Sequence, residues 1–151
     1  MVADKPLRAC VSHSFTVSAE RVYDAFLDVS TARRFLYASA DGEMVRAELD
    51  ARVGGAYVFT DRRDGADVEH TGTYLELDRP RRLVFTMFVP GYSVSPDRVT
   101  IEIVPVDGGC DLTLTHEMDA AYAPYVDATV RAYTDHLNTL DALLALGPSL
   151  A

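Results

Sequence analysis

The sequence predicts an α+β chain: a curved antiparallel sheet of six to seven strands wrapped around one long C-terminal helix. Three observations carry this. Stretches of period-two hydrophobicity recur between turn signals from Leu7 to Met118. Two short helical patterns interrupt them once, after the first stretch. From Pro124 onward the period becomes helical and stays so. Hairpin-linked strands with the helices kept apart make an α+β pattern, not an alternating β/α one.

Leu7, Ala9, Val11, Phe15 and Val17 share one parity, with Arg8, Ser12, Ser14 and Thr16 on the other, which predicts a half-buried strand. Ser18 can cap a helix, and Glu20 stands well against its N-terminal dipole. Val22, Phe26 and Val29 recur at helical spacing. Ser30 reads as a second cap, opening a short helix that ends near Tyr37. Met44 to Asp50 is the next strand, and Gly54-Gly55 a sharp turn or bulge before Ala56 to Arg63. Asp64-Gly65 is a hairpin signal leading into Val68 to Leu77. Pro80 interrupts, having no N–H for a ladder. Leu83, Phe85, Met87 and Val89 alternate inward, as do Val99, Ile101 and Ile103. Asp107-Gly108-Gly109 turns the chain into a last strand with Leu112, Leu114, His116 and Met118 on one face.

Val126, Val130, Tyr133, Leu137, Leu140 and Leu144 then step by four and three, a stripe over roughly six turns. Pro124 suits the first turn, and Gly147-Pro148 stops the helix. No repeat, low-complexity tract or linker divides the sequence, so one domain over 1–151 is expected.

A formal net charge of -9 argues against a phosphate backbone as partner, and against anionic membrane surfaces. No apolar run approaches the ~18 residues of a membrane helix. Met1 to Arg8 lacks the apolar segment of a secretory signal. The expectation is a cytoplasmic protein with no nucleic acid and no membrane insertion, homodimerisation being left open. Cys10 and Cys110 are too few for a disulfide framework and have no metal-ligand spacing. Each opens its strand, and neighbouring antiparallel strands start at opposite ends, so no bridge is expected between them.

One helix of about 10–12 Å diameter cannot fill the concave face of so wide a sheet. The space left would be lined by the inward set, including Tyr57, Phe59, Phe85, Met87, Val99, Ile101 and Leu114 from strands. Phe35 would come from the short helices, and Tyr133, His136, Leu137 and Leu140 from the long one. The plain alternative is that these side chains meet and fill the gap, as interiors do.

His13 and His116 share parity with inward positions, and His136 lies on the same helix side as Tyr133 and Leu140. Three imidazoles facing one interior could hold a metal or make a general base with its orienting partner. Their spacing is scattered, so no metal and no cofactor is expected. His136 as a polar contact in a pocket is the simpler reading. His136, Tyr133 and His116 are the catalytic candidates should the chain be an enzyme. His70 has outward parity if Leu75 and Leu77 point in. Asp61-Arg62-Arg63-Asp64 reads as a solvated hairpin tip. No Gly-x-Ser-x-Gly elbow and no phosphate-cradling loop occurs.

Three segments carry a family likeness. Ala47-Glu48-Leu49-Asp50-Ala51-Arg52-Val53-Gly54-Gly55-Ala56-Tyr57-Val58-Phe59 is a strand, bulge and strand with paired glycines. Gly72-Thr73-Tyr74-Leu75-Glu76-Leu77 followed by Pro80 to Thr86 is a central hairpin. Val99 to Glu117 makes two final strands. Together, from about Phe15 to Leu146, they resemble the SRPBCC (START/birch-pollen-allergen-like) superfamily, closest to the group related to the C-terminal domain of the heat-shock-protein-90 ATPase activator.

The resemblance implies a helix-grip fold with a deep hydrophobic cavity and no common reaction. Arg34-Phe35-Leu36 stands where the family often has Arg-Trp-Phe. Asp135-His136 stands where it often has Gly-Trp, and the chain has no tryptophan. The function expected is binding of a hydrophobic small molecule in the cavity. The alternatives are a cyclase, dehydratase or hydrolase acting there, and a chaperone-cofactor-like interaction protein.

Overall fold

In the computed structural model, which describes residues 5–146, β1 (Leu7–Phe15) buries Ala9, Val11 and Phe15 and exposes Arg8, Cys10, Ser12 and Ser14. Helix α1 (Ala19–Leu27) follows, its first turn capped by Ser18, whose hydroxyl accepts from Arg21 N at 3.2 Å. Helix α2 (Val29–Ala32) is capped by Asp28, not Ser30. The Asp28 carboxylate accepts from Ser30 N, Ser30 Oγ and Thr31 Oγ1, so the charged acceptor takes the donors that a serine cap would have used. The buried stripe of α1 ends at Phe26, because Val29 is at the surface.

Then come β2 (Glu43–Leu49), β3 (Ala56–Arg63), β4 (Ala66–Asp78), β5 (Arg82–Met87), β6 (Asp97–Val106) and β7 (Gly109–Met118). All join one antiparallel sheet in the order β1-β7-β6-β5-β4-β3-β2. The sequence-adjacent strands β1 and β2 are therefore its two edges, and α1 and α2 carry the chain between them. A 3₁₀ helix (Ala120–Tyr125) precedes α3 (Val126–Ala145). The long helix thus starts after Pro124, because Asp119 opens a tighter turn first by accepting from Ala121 N. Gly147-Pro148, expected to stop it, lie outside the described residues. Cys10 is exposed opposite Thr115 and Cys110 is buried opposite Phe15, both as free thiols.

Helix α3 presents Tyr133, His136, Leu137 and Leu140 to the concave face, with Val130 and Leu144 packed at the margin. Its C-terminal half is tied to β1 and α1: His13 Nε2 lies 2.7 Å from Asp141 Oδ2, and Arg21 donates to the Leu144 carbonyl. An aromatic cluster fills the sheet's centre. The Tyr57 ring stands 5.6 Å from both Tyr74 and Phe85 and 5.7 Å from Phe59, and its hydroxyl donates to Thr86 O at 2.6 Å.

Two features of β4 set its geometry. Gly72 lies opposite Tyr57, and a Cβ there would meet Thr86 O at 1.9 Å and Tyr57 Cε2 at 2.7 Å. Between Tyr74 and Glu76 the register with β5 slips by a bulge. Leu75 is consequently 40% exposed while Tyr74 is buried.

Gly72→Ala should lower stability by about 1–3 kcal/mol, since the nearest obstruction is backbone and cannot rotate away. Urea unfolding checks this. An unchanged midpoint would mean that β4 and β5 do not approach as closely as described.

Candidate functional site

The helix α3 fills the hollow unevenly. Its C-terminal half carries Leu137 and Leu140 into the core, but its N-terminal half offers Ala128, Thr129 and Ala132 to the space beneath. Small side chains at one end of a rigid cover leave a void there. The cavity has a volume of about 480 Å³, within the roughly 300–1,000 Å³ typical of ligand sites. Val68 and His70 of β4, Met87 of β5 and His116 and Met118 of β7 form its floor, with Val89 and Tyr92 beyond β5. Its mouth lies between the β5–β6 loop and the 3₁₀ helix. There Tyr122 latches the two, its hydroxyl accepting from Val94 N at 3.1 Å and donating to Tyr92 O at 2.8 Å. Tyr92, Val94 and Tyr125 are exposed around it.

One wall is polar. Tyr37 Oη is 3.0 Å from Tyr133 Oη, which is 2.7 Å from His116 Nδ1. His116 Nε2 is 2.9 Å from Asp97 Oδ2. The Lys5 ammonium lies 3.0 Å from Asp97 Oδ1, an ion pair too oblique for a hydrogen bond, and donates to Ser95 Oγ at 2.6 Å. All of Tyr37, Tyr133, His116, Asp97 and Lys5 are buried. Burial holds both phenols well above their ordinary pKa, so they stay neutral. Tyr37 reaches this position from a left-handed backbone, φ 58°, which costs a non-glycine residue about 1–2 kcal/mol. Arg63 Nη2 holds its carbonyl at 3.2 Å.

Beside this chain stand two more imidazoles. His70 stacks on Tyr37 with ring centroids 4.4 Å apart and 5° between planes, and its Nδ1 is buried without a partner. His136 sets its edge against Tyr37 and Tyr133 at 5.9 and 5.8 Å. Burial, with Arg63 adding repulsion, pushes His70 down to about 3 and His136 to about 4. Both are therefore neutral at pH 7. Arg63 is also paired with Asp61 at 2.7 Å. Burial would raise the Asp61 carboxyl, but Arg63 and two hydrogen bonds from Ser39 bring it below the usual range.

Of the residues expected to line a pocket, Met87, His116, Tyr133 and His136 meet at this cavity. Phe35, Tyr57, Phe59, Phe85, Val99, Ile101, Leu114, Leu137 and Leu140 belong instead to the packed core. Their rings and branched chains interlock, which is why the void lies to one side of them. His13 is not near His116: it faces Leu112 and bonds to Asp141, whereas His116 lies opposite Ala9. Among the described residues no group of three or more His, Cys, Asp or Glu is placed to hold a metal ion.

Two readings of the sequence are corrected. His70 faces inward, directly opposite the buried Phe59, because the bulge at Leu75 reverses the parity of β4. Asp61 is 1% exposed and not part of a solvated tip, since it lies opposite Val68 on the inner face. Tyr37, Asp97 and Lys5 were missing from the expected site. Asp97 had a signal, sharing parity with Val99, Ile101 and Ile103. Tyr37 and Lys5 had none, as each comes from a non-strand segment.

A family model described as Activator of Hsp90 ATPase homolog 1-like protein matches residues 16–145. Among solved structures, a protein from Chromobacterium violaceum is 27% identical, with 90% of this chain and 95% of that one covered at a TM-score of 0.75. One from Nitrosomonas europaea is 16% identical, covers 93% and 95%, and gives 0.81. An AHSA1-like protein from Aeromonas hydrophila is 19% identical, covers 93% of each chain, and gives 0.78. The lower identities bear on the fold alone. No curated protein matches.

The depressed histidines predict an acid limb of stability. Their folded pKa values lie below the unfolded value near 6.5, so their contribution is complete above that pH. It is lost as pH falls toward 4 and then 3. Between pH 6 and 4.5 each should add a slope of about 1.4 kcal/mol per pH unit. Urea midpoints of wild type, His70→Gln and His136→Gln check this, each variant flattening the curve. Identical slopes in all three would show that neither imidazole is kept from water.

Proposed function

This chain belongs to the Activator of Hsp90 ATPase homolog 1-like family, and from that premise we propose that it binds a hydrophobic small molecule in the cavity under the N-terminal half of α3. The family's SRPBCC fold is one that commonly binds hydrophobic ligands. The observation that carries the reading is a void of about 480 Å³ with valine, methionine and tyrosine walls and one polar edge. Apolar walls supply affinity through desolvation, at roughly 25 cal/mol per Å² buried, and a few polar groups orient the guest. The cavity is open to solvent on one side, and the Tyr122 hydroxyl ties the β5–β6 loop to the 3₁₀ helix at its rim. Among the described residues no helix is long and apolar enough to cross a membrane. We place the protein in the cytoplasm, where the guest would be a soluble metabolite or one taken from a membrane surface.

The Asp97–His116–Tyr133 chain favours a second reading, an enzyme acting on the same guest. A carboxylate holding an imidazole, which in turn holds a phenol, is an arrangement for moving a proton. It would use Tyr133 at the guest and His116 behind it, with Asp97 and Lys5 as positioning residues.

A panel of fatty acids, sterols and polycyclic aromatics, screened by thermal shift, checks the binding reading. At least one member should raise Tm saturably, a ligand at 100 times its Kd adding about 2.7 kcal/mol. Ala132→Trp, at an exposed helix position on the cavity wall, should abolish that rise while leaving the unliganded Tm unchanged. A flat response across the panel would sink the proposal.

A further inference from the structure

The hydrogen bonds of the polar wall run in one consistent direction. Asp97 faces the Lys5 ammonium, and an ionised carboxylate has no hydrogen to give. His116 Nε2, 2.9 Å from Asp97, therefore carries the ring proton. The neutral ring leaves this buried set balanced, with Lys5 against Asp97, whereas an imidazolium would add an uncompensated charge. Nδ1 must then accept, so the Tyr133 hydroxyl donates to it across 2.7 Å. Tyr133 has spent its single hydrogen and can only accept from Tyr37, 3.0 Å away. Tyr37 is spent in the same way. Every hydrogen points from the cavity toward Asp97, and the chain ends at Tyr37 in lone pairs. His70 Nδ1 has no partner, which leaves that ring free to take either tautomer and sets no direction.

We propose that this edge of the cavity selects an apolar molecule carrying a phenolic or enolic hydroxyl, which donates to Tyr37 and lengthens the chain by one link. The proposal rests on the binding reading and names its ligand class. A ketone or ether of the same shape brings lone pairs against lone pairs. At Tyr37 it could be accommodated only if that hydroxyl turned its hydrogen outward and gave up its bond to Tyr133, since reversing the whole chain would place a second proton on His116. Tyr133, as the middle link, takes the Tyr37 hydrogen away from the cavity, and the Tyr57 hydroxyl, which itself donates to Thr86 O, stands as a second acceptor on the core side.

Isothermal titration with 2-naphthol and 2-methoxynaphthalene tests this. Wild type should bind the naphthol at least about tenfold more tightly than the ether, the difference made by one buried acceptor left unpaired. Tyr37→Phe should bring the two within about twofold. Equal affinities in wild type, or a preference unchanged in folded Tyr37→Phe, overturn the proposal and leave the cavity reading standing. Failure of both compounds to bind overturns both readings. Should Tyr37→Phe not fold, the wild-type ratio decides.

Discussion

A seven-stranded sheet has far more concave surface than a single helix can cover, and that mismatch governs the molecule. The chain answers it in two different ways along the same helix. Where α3 carries leucines, the sheet replies with an interlocked aromatic cluster, and the interior closes as densely as any core. Where α3 carries alanine and threonine, nothing replies, and the space stays open. The two short helices complete the arrangement by carrying the chain from one sheet edge to the other, so both edges are committed before the long helix is made.

The cavity made this way is mostly apolar, and along one wall runs a buried line of polar groups with His70 and His136 beside it. Its members come from the N-terminal segment, the turn after α2, the starts and ends of two neighbouring strands, and the middle of α3. A buried polar group is costly unless partnered, and each of these is partnered by the next. The line therefore does structural and chemical duty at once. It fixes α3 against the sheet at the loosely filled end, and it gives the apolar void a directional edge.

Much of the architecture was legible because alternation and helical period are local signals. The stripe Tyr133–Leu137–Leu140, the strand Ala56–Arg63 and the hairpin at Asp64-Gly65 follow from neighbours in the sequence. The family likeness added the closure of the sheet around the helix. The candidate site was legible only in part, through Met87, His116, Tyr133 and His136. The large aromatics were the natural choice for a pocket wall, but large side chains are also the ones that find each other. The better sign was the small residues Ala128, Thr129 and Ala132 on the helix. Lys5 reaches Asp97 across most of the chain, and no local pattern encodes such a meeting.

The bulge at Leu75 has a wider meaning for how this strand changes over evolutionary time. It divides β4 into two stretches with opposite phase, so that Val68, His70 and Tyr74 serve the inner face by one count and Leu77 by the other. A substitution in either stretch alters one side chain. A gained or lost residue at the bulge exchanges every side chain of one stretch between solvent and interior. Length at this point, more than residue identity, is what keeps an imidazole beside Tyr37.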